Sequence, residues 1–164
     1  MFTYEKALLK TYGSFGDVIE LMDESFMKRA VGSHSSKLSA YDEAERLIEM
    51  IELKKDLIDL YHILTDALSD LKKSDYIILD GRYSLTGENA CAEEKNRNYY
   101  RKLALAVAKF AYAARRRGAD EKTFLLYAEK FHFIAEAYAE EKAKERDIFK
   151  GKTLKVKFKN AAAD

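Results

Sequence analysis

The sequence predicts an all-α fold, and three observations carry that expectation. The chain has 164 residues with no Pro and only seven Gly. Pro breaks helix interiors, so its absence permits long uninterrupted helices and argues against a loop-rich or all-β protein. Charged residues make up 35% of the chain, which suits long solvated helix faces. Apolar residues recur three and four apart over most of the length, as one face of a helix requires. A chain of this size fits one domain and can bury a core without disulfide or metal staples. The expected architecture is a helical bundle of four long helices, with a shorter helix between the second and third. Residues 1–72 form an N-terminal antiparallel helical hairpin, 73–149 a basic helical half, and 150–164 a basic, mobile tail.

The first helix is expected from about Thr3 to Ala30. Leu8, Tyr12, Phe15, Ile19, Met22 and Phe26 form a heptad-type seam within it. Gly13 and Gly16 interrupt it, and each costs about 1 kcal/mol relative to Ala in a helix interior, so a kink belongs there. The small, polar run from Val31 to Lys37 closes the segment. The second helix is expected from Ser39, with Asp42 placed as in a capping arrangement, to Leu71. Its apolar stripe runs through Ala44, Leu47, Ile48, Ile51, Leu57, Ile58, Tyr61, Leu64, Leu68 and Leu71. Roughly 30 residues at 1.5 Å each give a rod of about 45 Å. A short helix starts at Ser74 and carries Tyr76 to Leu79, with Gly81 suited to end it.

Residues 93–117 read as the next long helix, ended by Gly118, with Tyr100, Leu103, Val107, Phe110 and Ala114 facing the core. The last helix runs from an Asp120 cap through about Asp147, on a stripe of Phe124, Tyr127, Phe131, Ile134 and Tyr138. Beyond it, Thr153 to Lys159 alternates apolar and basic residues, which is a strand signature. A lone strand has no ladder partner in an all-α protein, so the segment pairs with a second copy, adds to a partner's sheet edge, or stays a mobile arm, and the mobile arm is the expectation because chain ends fray.

Charge divides the chain. Residues 1–94 hold 11 Lys/Arg and 19 Asp/Glu, a net of −8, and residues 95–164 hold 18 and 9, a net of +9. Such asymmetry marks either nucleic-acid contact or an acid-against-base packing of the two halves. Within the 93–117 helix, Lys95, Lys102, Lys109 and Arg116 recur every seven residues and make one basic stripe. No acid falls between Glu94 and Asp120. Phosphate backbones call for such cationic faces, because each neutralised phosphate releases a counterion. Arg97, Asn98 and Arg101 cluster at the helix start, and Asn and Arg can bond base edges bidentately. The plainer reading of the same residues is a solvated helix face whose C-terminal cations favour the helix dipole.

The stretch Leu71 to Tyr83, an apolar run ending in an Arg-Tyr pair, resembles the opening helix of sigma-factor region 4 domains. Asn96 to Leu103, alternating aromatic and basic residues, is similar to their recognition helix. Small phage and Firmicute proteins share the pattern. The resemblance covers about residues 68–110 and implies a helix-turn-helix with Arg97, Asn98 and Arg101 at DNA-facing positions. Between the two stretches, Glu88 to Glu94 supplies small residues and no Gly where the family has an apolar pair and a tight turn.

Catalytic signals are sparse. Asp59-x-x-His62 and Glu129-x-x-His132 match the ligand spacing of di-iron bundles, with Glu20 on the first helix as a third candidate. The 93–117 helix has no acid after Glu94 to complete such a set, so no metal is expected. Gly32 to Lys37 lacks the Gly-Lys-Ser/Thr ending of a phosphate loop. Cys91 is the only cysteine; it reads as a structural thiol and suits a reducing compartment. With no apolar run of membrane length and no leader-like start, the expectation is a cytoplasmic chain without a membrane partner.

Two functions from different classes follow as expectations. The first is a small DNA-binding regulator without catalysis or cofactor. It would use Lys95, Lys102, Lys109 and Arg116 on phosphates and Arg97, Asn98 and Arg101 near the bases. The second is a helical protein-binding adaptor or inhibitor that acts through its acidic half. The first-helix seam also allows a homodimer.

Overall fold

The computed structural model describes residues 2–32, 39–86 and 97–161, with side chains as far as residue 147. Among the described residues there are seven helices and no strand. They are α1 Thr3–Tyr12, α2 Phe15–Gly32, α3 Ala40–Ser69, α4 Lys73–Tyr83, α5 Arg97–Arg116, α6 Glu121–Lys130 and α7 His132–Ala161.

The first expected helix is two helices. The chain turns at Gly13 and Ser14, and Gly13 keeps αR geometry with its amide on the Thr11 carbonyl. The close neighbour is distant in sequence. A Cβ on Gly13 would lie 2.7 Å from the Ser84 carbonyl oxygen, so only Gly lets the turn after α4 approach this junction. α3 keeps almost the expected bounds. Ser39 caps it by accepting from the Asp42 amide at 3.1 Å.

α4 runs through Gly81 and ends two residues later, at Tyr83. The left-handed residue is Ser84, with φ 53°, and not Gly81. Asp80 holds this turn: its carbonyl accepts from the Ser84 amide at 2.7 Å and its carboxylate from the Thr86 amide at 2.9 Å. Gly118 ends α5 as its sequence suggests, at φ 98°, with the Ala119 amide returning to the Ala114 carbonyl.

The last expected helix is also divided. α6 starts at its Asp120 cap, which accepts from the Thr123 amide at 2.8 Å, and stops at Phe131 in extended geometry. The break contains neither Gly nor Pro. Buried Phe131 sits between the rings of Tyr127 and Phe133, at 6.5 and 6.2 Å, so packing turns the chain there. α7 then continues as helical backbone through Ala161. The alternation of residues 153–159 is therefore not realised as a strand. No sheet edge exists among the described residues, and a helix satisfies its own backbone groups.

The core joins α1, the C-terminal half of α3, and α4 to α7. Leu8, Leu57, Leu64, Leu79, Phe110, Phe124 and Ile134 are fully or almost fully buried in it. Each such side chain is worth about 1.5–3 kcal/mol of burial. α1 runs antiparallel along α7, as the Lys10–Glu140 ion pair and the Phe15–Phe133 ring contact show.

α2 packs chiefly on α3, antiparallel, with Phe15 near Tyr61, Asp23 on Lys54, and Arg29 on Glu43 at 2.9 Å. Phe15 is the one residue of α2 that is buried, and Glu43 the one buried residue of the N-terminal part of α3. The hairpin thus becomes an arm beyond the core.

Candidate functional surfaces

α5 is amphipathic in the plain sense. Ala106, Val107, Phe110, Ala111, Ala113 and Ala114 are buried, and small Ala side chains let neighbouring helices come close. Its other face carries the sequence candidates. Arg97, Asn98, Arg101 and Lys102 are all exposed on its first two turns. Tyr100, expected on the core stripe, is instead exposed and stands edge-on to Tyr99. Lys95 lies outside the described residues, as do Cys91 and the Glu88–Glu94 stretch.

The basic stripe is not uniform. Lys109 Nζ donates to Asp75 of α4 at 2.6 Å, which ties the two helices and neutralises that cation. Arg116 lies over the Tyr112 ring at 5.7 Å and remains exposed. Arg117 pairs with Asp70 and Asp66 at the end of α3. Arg115 is committed to the fold. Its Nε donates to the Tyr4 hydroxyl at 2.8 Å and to Glu5 at 3.0 Å, and its guanidinium also stacks near the Phe2 and Tyr4 rings. These hydrogen bonds, to Glu5 first, raise the guanidinium above its ordinary value. Glu5 itself is fully buried, with one carboxylate oxygen unpartnered.

Between α5 and the α3–α4 turn runs an open groove of about 910 Å³. Leu71, Leu105, Ala108 and Tyr112 supply apolar lining, Lys72, Lys109, Arg116 and Arg117 the cations, and Asp75 and Asp70 the carboxylates that pair with Lys109 and Arg117. Leu105 is 54% exposed and Tyr112 66%. Both were missed by the core-stripe reading of α5. The signal was present: positions 105 and 112 fall seven apart, on the face of Lys102, Lys109 and Arg116 rather than on that of Val107 and Phe110.

A second surface lies on the arm. The wide apolar stripe of the second expected helix is split. Leu47 is half-buried and Leu57, Leu64 and Leu68 are buried, whereas Ala44, Ile48 and Ile51 face outward, with Tyr41 one turn before them. Tyr41 is 75% exposed, Ile48 56% and Ile51 53%. Exposed Glu45, Glu49 and Glu52 flank them, exposed Lys55 follows at the next position of the row, and α2 adds exposed Met27 and Val31 beside Asp17, Glu20 and Glu24.

The carboxylate–histidine pairs are not gathered. Asp59, His62, Glu129 and His132 are all exposed, and His132 faces its own helix neighbour Glu136. No group of three metal-ligating side chains occurs among the described residues. Among these residues no helix is long and apolar enough to cross a membrane. The chain matches no protein-family model, no curated protein and no solved structure.

Proposed function

We propose that this chain is a helical protein-interaction module that works through its acidic arm. The observation that carries the reading is the outward stripe Tyr41, Ala44, Ile48 and Ile51, apolar, exposed and bordered by carboxylates. Scattered surface apolar residues need no explanation, but a row at helical spacing on a projecting element supports an interaction site. An amphipathic helix of this kind docks in a groove by its i, i+3 and i+7 residues. Its partner has an apolar centre and a cationic rim. The test is a photo-crosslinking side chain at position 48 of the purified chain, in an extract of its source cells. Crosslinks that disappear when Tyr41→Glu or Ile51→Glu is added support the reading. Crosslinks that persist, or none at all, overturn it.

DNA binding through α5 is the second reading. It is favoured by Arg97, Asn98, Arg101 and Lys102 standing exposed on a helix without a carboxylate, and by their making no ion pair among the described residues. The segment between α4 and α5 that would carry the middle helix of a helix-turn-helix lies outside the described residues. Against the reading, Leu105 and Tyr112 on the same face suit an apolar partner better than a phosphate backbone. A labelled duplex library at about 50 and 200 mM salt decides. Binding that falls with salt and is lost in Arg97→Glu/Arg101→Glu supports DNA, and no binding at either salt sinks it.

A further inference from the structure

The two exposed surfaces of this chain are complementary to each other. The arm face of α3 repeats apolar residues at 41, 44, 48 and 51, with Glu45, Glu49 and Glu52 beside them. The open face of α5 places Leu105, Ala108 and Tyr112 at the same alternating spacing of three and four, with Arg101, Lys102 and Arg116 beside them. The arm row is mainly acidic beside Ile48 and Ile51, with Lys55 at its end, and the α5 face is net basic once Asp75 and Asp70 are paired with Lys109 and Arg117.

The lengths agree. The arm stripe from 41 to 52 rises about 16 Å and the α5 face from 101 to 116 about 22 Å, at 1.5 Å per residue. The groove beside α5 is open to solvent, and the Lys109–Asp75 pair ties α5 to α4 at its wall. Arg116, laid over the Tyr112 ring, holds a cation beside the apolar floor.

We propose that the arm of one copy docks in the α5 groove of a second copy, Ile48 and Ile51 covering Leu105 and Tyr112. The proposal rests on the arm being a protein-binding surface and names its partner. Charge fixes which face meets which. Two arms brought together set Glu45, Glu49 and Glu52 against their own kind, and two α5 faces oppose Lys72 and Arg116 of the groove and Arg101 and Lys102 beyond its end. Only arm against groove pairs unlike charges, and misplaced like charges are what excludes wrong partners. Because the contact is heterologous, each copy offers one arm and one groove. Reciprocal exchange closes a dimer, and one-way exchange builds a chain of copies.

Sedimentation velocity of the full chain over a range of concentrations tests this. Three species are compared: the wild type, the arm variant Ile48→Glu/Ile51→Glu, and the groove variant Tyr112→Glu/Arg116→Glu. All four positions are exposed, so folding is checked simply by helical circular dichroism. The wild type associates, more weakly at high salt. Each variant alone loses at least about 30-fold in association, the scale of a hot-spot loss of 2 kcal/mol. Mixing the two variants restores a complex of two copies, because one intact arm then meets one intact groove. Glu49→Lys weakens association and Lys102→Glu in the same or the other copy recovers part of it.

A wild type that stays monomeric at every concentration overturns the proposal. So does a groove variant that associates like the wild type, or a mixture that fails to recover. A monomer whose arm still crosslinks to another protein sinks self-association and leaves the protein-binding reading standing. A monomer without such crosslinks sinks both.

Discussion

Gly13 and Gly16 lie three residues apart at the same helix junction, and replacing each by Ala is expected to move stability in opposite directions. At Gly13 a Cβ would stand 2.7 Å from the Ser84 carbonyl oxygen, well inside ordinary contact. The obstacle is backbone, not a pliable side-chain end. It belongs to a residue already held at φ 53° and pinned by Asp80. Relief requires α1 to separate from the turn after α4, and forced overpacking of this kind costs about 1–3 kcal/mol. At Gly16, in the first turn of α2, an added Cβ meets nothing within 4 Å. There Ala only narrows the unfolded ensemble, and a gain of about 0.4–1 kcal/mol follows. For a domain of this size each kcal/mol moves Tm by about 2–4 °C. Gly13→Ala should therefore lower Tm by about 2–12 °C, and Gly16→Ala should raise it by about 1–4 °C. Thermal unfolding followed by circular dichroism reads both. Equal shifts, or a neutral Gly13→Ala, would refute the close approach between this junction and Ser84.

Alkaline pH should destabilise the fold by way of its tyrosines. Burial pushes the Tyr83 hydroxyl up to about 12, with Glu141 adding to the shift, and burial also raises Tyr4, Tyr12, Tyr76 and Tyr127. A folded value above the unfolded one means that the stabilisation is complete below about pH 10 and lost as pH climbs through the folded value. Denaturant midpoints falling between pH 10 and 12, beside a late tyrosinate absorbance phase, would agree; a flat profile would not. Asp120→Ala removes the α6 cap and should cost about 1 kcal/mol, with Asp120→Asn largely restoring it. Arg115→Ala leaves buried Glu5 without its cation. A fully buried pair broken this way costs about 3–5 kcal/mol, but the half-exposed guanidinium position admits water, so about 2 kcal/mol is expected in urea unfolding. Arg115→Lys keeps the charge and should recover part of that.

Helical content was legible from periodicity and from the absence of Pro, and the Ser39, Asp120 and Gly118 signals mark helix ends that the structure keeps. The two breaks were less legible for different reasons. At Gly13 the residue type was visible, but its cause, the approach of Ser84, is a long-range contact. At Phe131 nothing local announces a break, because ring packing makes it. Gly81 misled for the opposite reason: its local permissiveness went unused once Asp80 could hold the turn at Ser84.

The candidate surfaces divide in the same way. Charge alone located the cations of α5, yet it could not tell Lys109 and Arg115, bound to Asp75 and Glu5, from Arg101 and Lys102, which make no ion pair among the described residues. The apolar stripe of α3 was read as wholly inward. Two faces of a helix can both be apolar, and only the partner helix decides which one is covered.

α3 carries one unbroken helix through two surroundings. Toward Leu64 it is enclosed on several sides; toward Tyr41, among the described residues, it packs chiefly on α2 and is largely exposed. Hydrogen exchange should therefore grade along a single helix. The amides around Leu60 to Leu68 should open only when the whole domain unfolds, and those around Tyr41 to Ile51 by local opening at much smaller free energy. The tip of the rod can fray, and can re-form against another surface, while its root stays closed. A helix that looks like a rigid strut is thus, in energetic terms, a firm base with a soft end, and the soft end is where the exposed apolar row sits.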